Sequence, residues 1–285
     1  MTAAGERFAC WLKTTVFASL LAAFLLCRAA GGAESTLRIT GGGGEREFTA
    51  AALLARADRI SLHIPADVSY GRAMDYVAVP LLGLLADSVN GPLDTLEARA
   101  TDGFASQIPL TLVMAGARGG SVAWIAVEDP AHPWPALPKS NTSAGPFYMV
   151  WEHPERSGIQ SEQWPYALAS LALVESPEHR WPQIALPAEV AADAAARRGE
   201  HVFVAQCFPC HRMFGAGNGE MGPDLGVPMA ATAYLTDAGL RAIIRDPRAV
   251  RVWPAQRMPA FDRSALPDAD VDAVIAYLHA ITKGN

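Results

Sequence analysis

The spacing of apolar residues differs between the two halves of the chain. As far as about residue 175, short runs rich in β-branched and aromatic residues are separated by turns with glycine and proline, which is typical of β-strands. The run YVAVPLLGLLADS predicts the end of a strand followed by a short helix, and YALASLALVES predicts either a strand or a short helix. Strands are predicted in TLRIT (36–40), RISLHI (59–64), TLEARA (95–100), LTLVMA (110–115), SVAWIAVED (121–129) and PFYMVW (146–151).

In the last third of the chain the apolar residues follow a helical period. Val271, Val274 and Leu278 recur at intervals of three and four, and acidic residues from Asp268 onwards occupy the first turn, where the helix dipole favours them. The run TDAGLRAIIRDP predicts a further helix that ends at Pro247. The second half is therefore predicted to be helical.

The glycine run Gly41–Gly44 lies between the first strand and a predicted short helix. It is not followed by Gly-Lys-Ser/Thr, and Arg46 stands where a dinucleotide-binding fingerprint needs its third glycine. We therefore interpret the run as a turn and not as a phosphate-binding loop. Thr49 is predicted to cap the helix, and Phe48 to pack across its start.

The first residues have the features of an export signal. Arg7 and Lys13 are followed by the apolar run Thr14–Leu26, which is too short for an ordinary membrane span, and then by small residues at 29–33. We predict a signal peptide at residues 1–33 and a periplasmic location. The alternative is an uncleaved anchor, and membrane contact is expected only in that case. A lipid anchor on Cys27 is disfavoured because a bulky leucine precedes it.

A proline-rich segment separates the two halves. Residues 176–189 contain three prolines and few periodic apolar positions. We predict a linker at 177–187 between an N-terminal domain at 34–176 and a C-terminal domain at 188–285. Residues 34–186 carry ten basic and seventeen acidic side chains, and residues 187–285 carry ten and eleven. Neither half has a basic tract, so no nucleic-acid partner is expected.

The cysteines point to one place in the chain. Of the four, Cys10 and Cys27 lie in the predicted export segment, which leaves Cys207 and Cys210, with His211 next to them. A disulfide between residues three apart would close too small a loop to stabilise much. A zinc site needs about four ligands, and these two cysteines with His211 are only three. A thioredoxin-like pair needs a βαβ context, whereas the pattern around these cysteines is helical.

The spacing C-x-x-C-H is instead typical of a c-type haem. Each thiol adds to a vinyl group of the haem, and the histidine becomes an axial ligand of the iron. This attachment takes place after export, in agreement with the predicted signal. We predict one covalent haem on Cys207 and Cys210, with His211 as the first axial ligand.

The second axial ligand is expected from a methionine farther along the chain. Met258 lies 47 residues after His211, in the run QRMPAFD, where a loop can cross the far face of the haem. Met213 and Met221 are too close to the attachment site to reach round the ring. Core packing is the expected role for those two and for Met229.

Several motifs around these residues resemble class I cytochromes c, over Ala188–Thr282. They are the run RRGEHVFVAQCFPCHRM, the loop GPDLG, the run MPAF and the closing helix. The resemblance implies that Pro223 accepts a hydrogen bond from His211 through its carbonyl. It also implies that the closing helix crosses at Gly199, where Phe203 meets Tyr277.

The N-terminal half carries the phrases EFTAAALLARA, VPLLGLLADS, ATDGFASQIPL and GPFYMVW, with Trp164 after them. They resemble the molybdopterin-binding domain of the sulfite oxidase superfamily, over Thr36–Glu175. The resemblance implies a fold class of α+β, with a mixed sheet, joined to an all-α cytochrome c domain. That superfamily ligates molybdenum with a cysteine thiolate, and residues 34–206 contain no cysteine. We therefore expect the fold without molybdenum or molybdopterin.

Together these features predict an electron carrier and not an enzyme. Histidine and methionine ligands leave no open coordination position, so the iron would pass single electrons to or from a redox partner protein. One alternative is a molybdopterin oxidoreductase containing haem, or its cytochrome subunit, and another is a gas sensor that loses Met258. The scattered histidines His63, His132, His153 and His179 are not expected to bind a metal.

Arginines cluster ahead of Met258. One or two are expected to neutralise haem propionates, and the others to form either a docking face for an acidic partner or a solvated helix face. Trp253 is predicted either to donate a hydrogen bond to a propionate or to pack. The arginines are Arg241, Arg245, Arg248, Arg251 and Arg257.

Overall fold

A computed structural model describes residues 35–284 with the exception of 42, 86–88, 90–91, 139 and 192–193. The predicted signal peptide at 1–33 lies outside the described residues. Both halves of the chain belong to one compact unit, Ser35–Asn285.

The N-terminal half is built from two sheets. The strands are β1 (Thr36–Gly41), β2 (Gly44–Thr49), β3 (Ile60–Asp67), β4 (Arg72–Pro80), β5 (Thr95–Ala100), β6 (Ala105–Pro109), β7 (Val122–Val127), β8 (Phe147–Glu152) and β9 (Leu168–Val174).

The first sheet is mixed and has the order β2-β1-β9-β5-β6. Strands β1 and β9 are parallel, and the other neighbours in this sheet are antiparallel. The second sheet is antiparallel throughout, in the order β3-β4-β7-β8. Side chains of both sheets share one core, which includes Leu37 and Leu171 from the first sheet and Ile125 and Trp151 from the second. The predicted α+β domain with a mixed sheet is confirmed at this level.

The described residues form nine α-helices, and the three longest lie in the second half. They are α1 (Ala50–Leu54), α2 (Leu81–Leu85), α3 (Leu110–Val113), α4 (Pro177–Arg180), α5 (Ala195–Gln206), α6 (Ala231–Tyr234), α7 (Asp237–Arg245), α8 (Pro247–Val250) and α9 (Asp268–Gly284).

One strand prediction for the first half was wrong, and two strands were not predicted. The run LTLVMA forms α3 and not a strand, because Leu110 and Val113, three residues apart, are buried on one face while Thr111 is exposed. Strands β2 and β6 were not predicted. The sequence of β2, GEREFT, is mostly polar. It lies at the edge of the sheet, where charged residues protect an unpaired strand, and Arg38 of β1 pairs with Glu47 across it at 3.1 Å.

Other local predictions are confirmed. The Thr49 hydroxyl caps α1 by accepting a hydrogen bond from the backbone N–H of Ala52 at 3.1 Å. The ambiguous run YALASLALVES contains strand β9. The glycine run closes the β1–β2 hairpin, in which Gly41 is the partner of Gly44.

Helices α5 and α9 cross closely, as the resemblance to cytochromes c implied. A Cβ atom on Gly199 would lie 1.9 Å from the carbonyl oxygen of Ala273, so only glycine fits there. The rings of Phe203 and Tyr277 pack beside the crossing with centroids 5.1 Å apart. This crossing fixes the direction of α5, and the cysteine motif follows directly at its C-terminal end.

The segment predicted as a linker packs against the helical half. It contains α4, and its Ile184 is fully buried in the core of that half. The Tyr277 hydroxyl donates a hydrogen bond to the Ile184 carbonyl at 2.8 Å, and the Glu200 carboxylate accepts one from the Leu186 N–H at 2.7 Å. The prolines suggested a linker, but the segment is an ordered extension of the helical core. The domain boundaries stay predictions.

Candidate haem-binding site

The cysteine motif is a tight turn at the end of α5. The backbone N–H groups of Cys207 and Phe208 both donate to the Phe203 carbonyl at 2.9 Å, and the N–H of His211 donates to the Cys207 carbonyl at 2.9 Å. The Phe208 ring is buried against Phe203 and Trp181. The turn points both thiols and the imidazole toward one cavity.

Both thiols are free and half-buried. Burial, with a further contribution from the nearby Glu162 carboxyl, raises the pKa of Cys207 to about 12 and that of Cys210 even further. In the part of the chain that the structure describes, no three His, Cys, Asp or Glu side chains group as a metal site.

His211 is oriented by the loop after it. Its Nδ1 lies 2.8 Å from the carbonyl oxygen of Pro223, and burial lowers its pKa, which favours the neutral ring. Since a carbonyl can only accept, Nδ1 carries the proton and Nε2 keeps its lone pair. A Cβ atom on Gly222 would lie 2.5 Å from the ring, so this position needs glycine.

Met258 lines the same cavity, which has a volume of about 240 Å³. The side chain is half-buried, in a loop that α7 supports. Arg245 at the end of α7 donates hydrogen bonds to the carbonyl oxygens of Phe261 at 2.9 Å and Leu266 at 2.6 Å, and pairs with Asp268 at 2.6 Å. The structure therefore brings the four predicted haem-binding side chains, Cys207, Cys210, His211 and Met258, to one cavity.

Residues 194–278 match the family described as cytochrome C oxidase, cbb3-type, subunit III. This region is a cytochrome c domain. No curated protein matches the chain. The domain implies haem c, and it supports a role for the chain as a haem-containing electron-transfer protein. The resemblance of the first half to molybdopterin-binding domains stays a prediction.

The other methionines of the cytochrome c domain differ in their surroundings. Met213 is buried in the core, as predicted. Met221 lines the haem cavity, with its sulfur 3.8 Å from that of Cys210. Met229 is 56% exposed, so the prediction of core packing was wrong for it. It lies in the irregular loop before α6, where exposed Val227 accompanies it.

The lining of the cavity fits a flat apolar cofactor with charged edge groups. Most of the lining is aliphatic or aromatic, including Leu240, Val274 and Leu278. The amide nitrogen and oxygen of Gln256 are buried there without a hydrogen-bond partner. Haem carries carboxylates at one edge, and Gln256 is suited to donate to such a group. The residues present therefore fit haem.

The clustered arginines divide into three groups. Arg241 pairs with Asp272, and Arg245 holds the Met258 loop. Arg257 lines the cavity beside Trp253, which gives it access to a haem carboxylate. Among the described residues, Arg248 and Arg251 have no carboxylate within ion-pair distance. The division of the five arginines between haem propionates and a docking or solvated face stays a prediction.

Contacts between the β-rich half and the cysteine turn were not predicted from the sequence. The N–H of Ala105 donates to the Pro209 carbonyl at 2.9 Å, and the N–H of Glu220 donates to the Gly103 carbonyl at 3.0 Å. The Gln206 amide, itself buried, donates to the Gln160 side chain at 2.7 Å. These bonds attach the hairpin of β5 and β6 and the loop before β9 to the cysteine turn.

A buried carboxylate completes this contact. Glu97 of β5 accepts a hydrogen bond from the Asn218 amide at 2.8 Å and pairs with Arg180 at 2.9 Å. Burial alone would raise the pKa of Glu97. Hydrogen bonds from Arg99, Gln107 and Asn218, with the charge of Arg180, outweigh this effect and lower the pKa to about 2.

A second cavity of about 260 Å³ lies between the β-rich half and the cysteine turn. It shares Glu162, Cys210 and Arg257 with the haem cavity. Burial raises the pKa of Glu162 to about 7, against the effect of a hydrogen bond from Ser161. The β-rich half therefore contributes to the lining around the Cys210 end of the haem cavity.

No helix among the described residues combines the length and the apolar character that are needed to cross a bilayer.

Proposed function

We propose that this chain is an exported c-type cytochrome that carries one haem, attached through thioether bonds to Cys207 and Cys210. We further propose His211 and Met258 as the axial ligands. The observation that carries the proposal is the convergence of these four side chains on one apolar cavity. The hydrogen bond from His211 Nδ1 to Pro223 supports it, because it leaves Nε2 free to bind a metal.

Each residue has a defined task in this scheme. Bound haem supplies a one-electron couple, and ligation by an imidazole and a thioether leaves no position open to a substrate. Pro223 holds the proton on Nδ1 and so fixes the tautomer of His211. The aliphatic wall around Leu240 and Val274 excludes water, and Gln256 and Arg257 are placed to meet the haem carboxylates.

The first test is covalent attachment. The protein is expressed with an export signal and a haem-attachment system, denatured and extracted with acidified acetone. We expect the porphyrin to stay with the protein, and the Cys207→Ala/Cys210→Ala double variant to lose it. Wild-type protein that releases its porphyrin would contradict the proposal.

The second test separates Met258 from a matched methionine. Met258→Ala is expected to open a coordination position, so that the reduced protein binds carbon monoxide at neutral pH. Met229→Ala is the control, since Met229 is exposed and does not line the cavity. Equal carbon monoxide binding by the two variants would exclude Met258 as a ligand.

We propose that the β-rich half serves as a scaffold for the cytochrome c domain in the periplasm. The bonds from Ala105, Gln160 and Glu97 to the cysteine turn support this role. The absence of cysteine from residues 34–206 argues against molybdenum in that half. Metal analysis of the purified protein is expected to find iron at about one per chain without molybdenum, and stoichiometric molybdenum would instead favour the oxidoreductase alternative.

A further inference from the structure

The second cavity, between the β-rich half and the cysteine turn, has no part in the proposed function. Its volume of about 260 Å³ lies below the range of about 300–1,000 Å³ that is usual for drug-sized ligands, so it suits a molecule with a single ring. Val68 and Tyr166 line this cavity and are exposed, at 44% and 38%. The cavity therefore reaches the protein surface beside them, and a small molecule can enter from solvent.

The walls of the second cavity suit an aromatic ring. Phe104, Trp164 and Tyr166 contribute aromatic side chains to it. The buried ring of Tyr148 packs against both Trp164 and Tyr166, with its centroid 6.4 Å from each of theirs. Aromatic rings pack favourably against one another in offset or edge-on arrangements. Because Tyr148 supports this wall from behind, it is in place before a ligand binds.

The charged side chains of the second cavity disfavour an anion. The described lining has two carboxyl groups, Asp102 and Glu162, against the guanidinium of Arg257. All three act on one phenol: burial raises the pKa of Tyr166, the charges of Asp102 and Glu162 raise it further, and that of Arg257 lowers it. They therefore surround a common space. Carboxylates accept hydrogen bonds, so the ligand that fits is an uncharged ring with hydroxyl groups.

Glu162 is placed to take a proton from such a hydroxyl. Its side chain lines both the second cavity and the haem cavity. Burial raises its pKa to about 7, and the opposing effect comes from a hydrogen bond with Ser161 and not from a cation. A carboxylate that titrates near the working pH is an effective general base.

A ligand in the second cavity would lie beside the haem. Cys210 lines both cavities, as do Met221 and Pro259. Such a ligand would therefore contact the side chain through which the proposed function attaches the porphyrin. This contact gives an electron a short path between the ligand and the cofactor.

We propose that the second cavity binds a neutral hydroquinone, which donates electrons to the bound haem. The inference rests on the proposed function. In each step one O–H bond of the ligand breaks, its proton passes to the Glu162 carboxylate, and one electron reduces the ferric iron to the ferrous state. Two of the resulting phenoxyl radicals disproportionate to one hydroquinone and one quinone, and Glu162 returns its proton to solvent. A ligand with one hydroxyl group has no such stable product.

Binding is tested on the reduced, haem-loaded protein, which cannot accept an electron, so that binding is measured without a reaction. Isothermal titration calorimetry with 1,4-hydroquinone under argon is expected to show one site per chain. Val68→Trp places a large ring at the cavity opening and should abolish binding. Ile60→Trp is the matched control, since Ile60 is also exposed, at 39%, but does not line the cavity.

A second variant addresses the carboxylate. Glu162→Gln keeps the shape of the side chain but removes its charge, and is expected to weaken binding about fivefold. Its control is Glu155→Gln, at an exposed carboxylate outside the cavity, which should bind like the wild type.

Stopped flow then follows the reduction of the ferric protein by 1,4-hydroquinone. The observed rate of the wild type is expected to saturate as the hydroquinone concentration rises, because a complex forms before the electron moves. The limiting rate of Glu162→Gln at pH 7 should be at least about tenfold lower, since the proton acceptor is lost. The rate of Val68→Trp should rise linearly with concentration, as for a reaction at the outer surface.

Two sources of hydroquinone are separated by a probe that carries a decyl chain. Tighter binding of this probe than of 1,4-hydroquinone would support the proposal and assign the site to a membrane quinol. Equal or weaker binding of the decyl probe, with binding of 1,4-hydroquinone retained, would support it and assign the site to a water-soluble hydroquinone.

The inference is overturned if the reduced wild type binds neither probe, or if Val68→Trp and Ile60→Trp bind 1,4-hydroquinone equally. A linear rate dependence in the wild type would also contradict it. The proposed function fails separately, by release of the porphyrin on denaturation. A protein that retains its haem but does not bind hydroquinone would refute only the ligand site.

Discussion

The two sides of the haem cavity are held in different ways. On the His211 side, residues 206–223, only four of eighteen residues are exposed, and backbone hydrogen bonds tie the segment to α5 and to the β-rich half. On the Met258 side, eight of the ten residues 251–260 are exposed. The two half-buried residues there are Gln256 and Met258, which line the cavity.

This difference indicates which side is formed before the cofactor is added. The His211 side is determined by local backbone geometry and by long-range contacts. The Met258 side depends on the Arg245 hydrogen bonds and on whatever fills the cavity. We therefore expect the methionine side to open first under stress, as regions with few buried contacts do.

The largest expected effect is at the helix crossing that positions the His211 side. Gly199→Val places carbon atoms where the Ala273 carbonyl lies, so α5 and α9 cannot approach. We expect a loss of about 3 kcal/mol or more in the free energy of unfolding, or no folded protein. Denaturant melts of the haem-loaded protein measure it. In the control Gly239→Ala the new Cβ has room, 3.4 Å from the nearest atom, and should be neutral or slightly stabilising.

A somewhat smaller effect is expected on the Met258 side. Arg245→Leu removes the charged donor shared by Phe261 and Leu266, which should lower the free energy of unfolding by about 2 kcal/mol. The haem absorption that depends on ligation by Met258 should then disappear at a lower denaturant concentration than the signal of global unfolding. Arg263→Leu is the matched control, because Arg263 pairs with the same Asp268 but is exposed. Simultaneous loss of both signals would contradict the difference between the two sides.

Low pH is expected to destabilise the His211 side through protonation of Glu97. Burial would raise the pKa of Glu97, but hydrogen bonds from Arg99, Gln107 and Asn218 lower it from 4.5 to about 2. A lowered folded-state pKa means that the stabilisation is present above the unfolded pKa and is lost as the pH falls toward 2. We expect roughly 2 kcal/mol of pH-dependent stability between about pH 4.5 and 2.

The measurement is the denaturant midpoint at pH 6 and at pH 3. Glu97→Gln should flatten the acid dependence, while Glu155→Gln, at an exposed carboxylate, should keep it. If the denaturant midpoint of Glu97→Gln falls between pH 6 and pH 3 as much as that of the wild type, this carboxylate does not couple the β-rich half to the cysteine turn.

Features with a local signal in the sequence were predictable. The cysteine motif, the closing helix and the Thr49 cap depend on residues a few positions apart, and the structure has the helix and the cap as predicted. The role of Glu97 was not predictable, because its partner Asn218 lies 121 positions away in the chain. The exposure of Met229 was missed for a related reason, since composition does not reveal the course of an irregular loop.

The attachment of Ile184 has a practical consequence for dissecting the chain. Cutting at residue 188, where the proline pattern suggested a boundary, would remove a fully buried side chain and the acceptor of the Tyr277 hydroxyl. An autonomous electron-transfer fragment therefore has to start upstream of Trp181, whose ring also packs against Phe208. Even that fragment would lack the β-rich half. The surface around Gln206, which the β-rich half covers in the whole chain, would then be exposed to water.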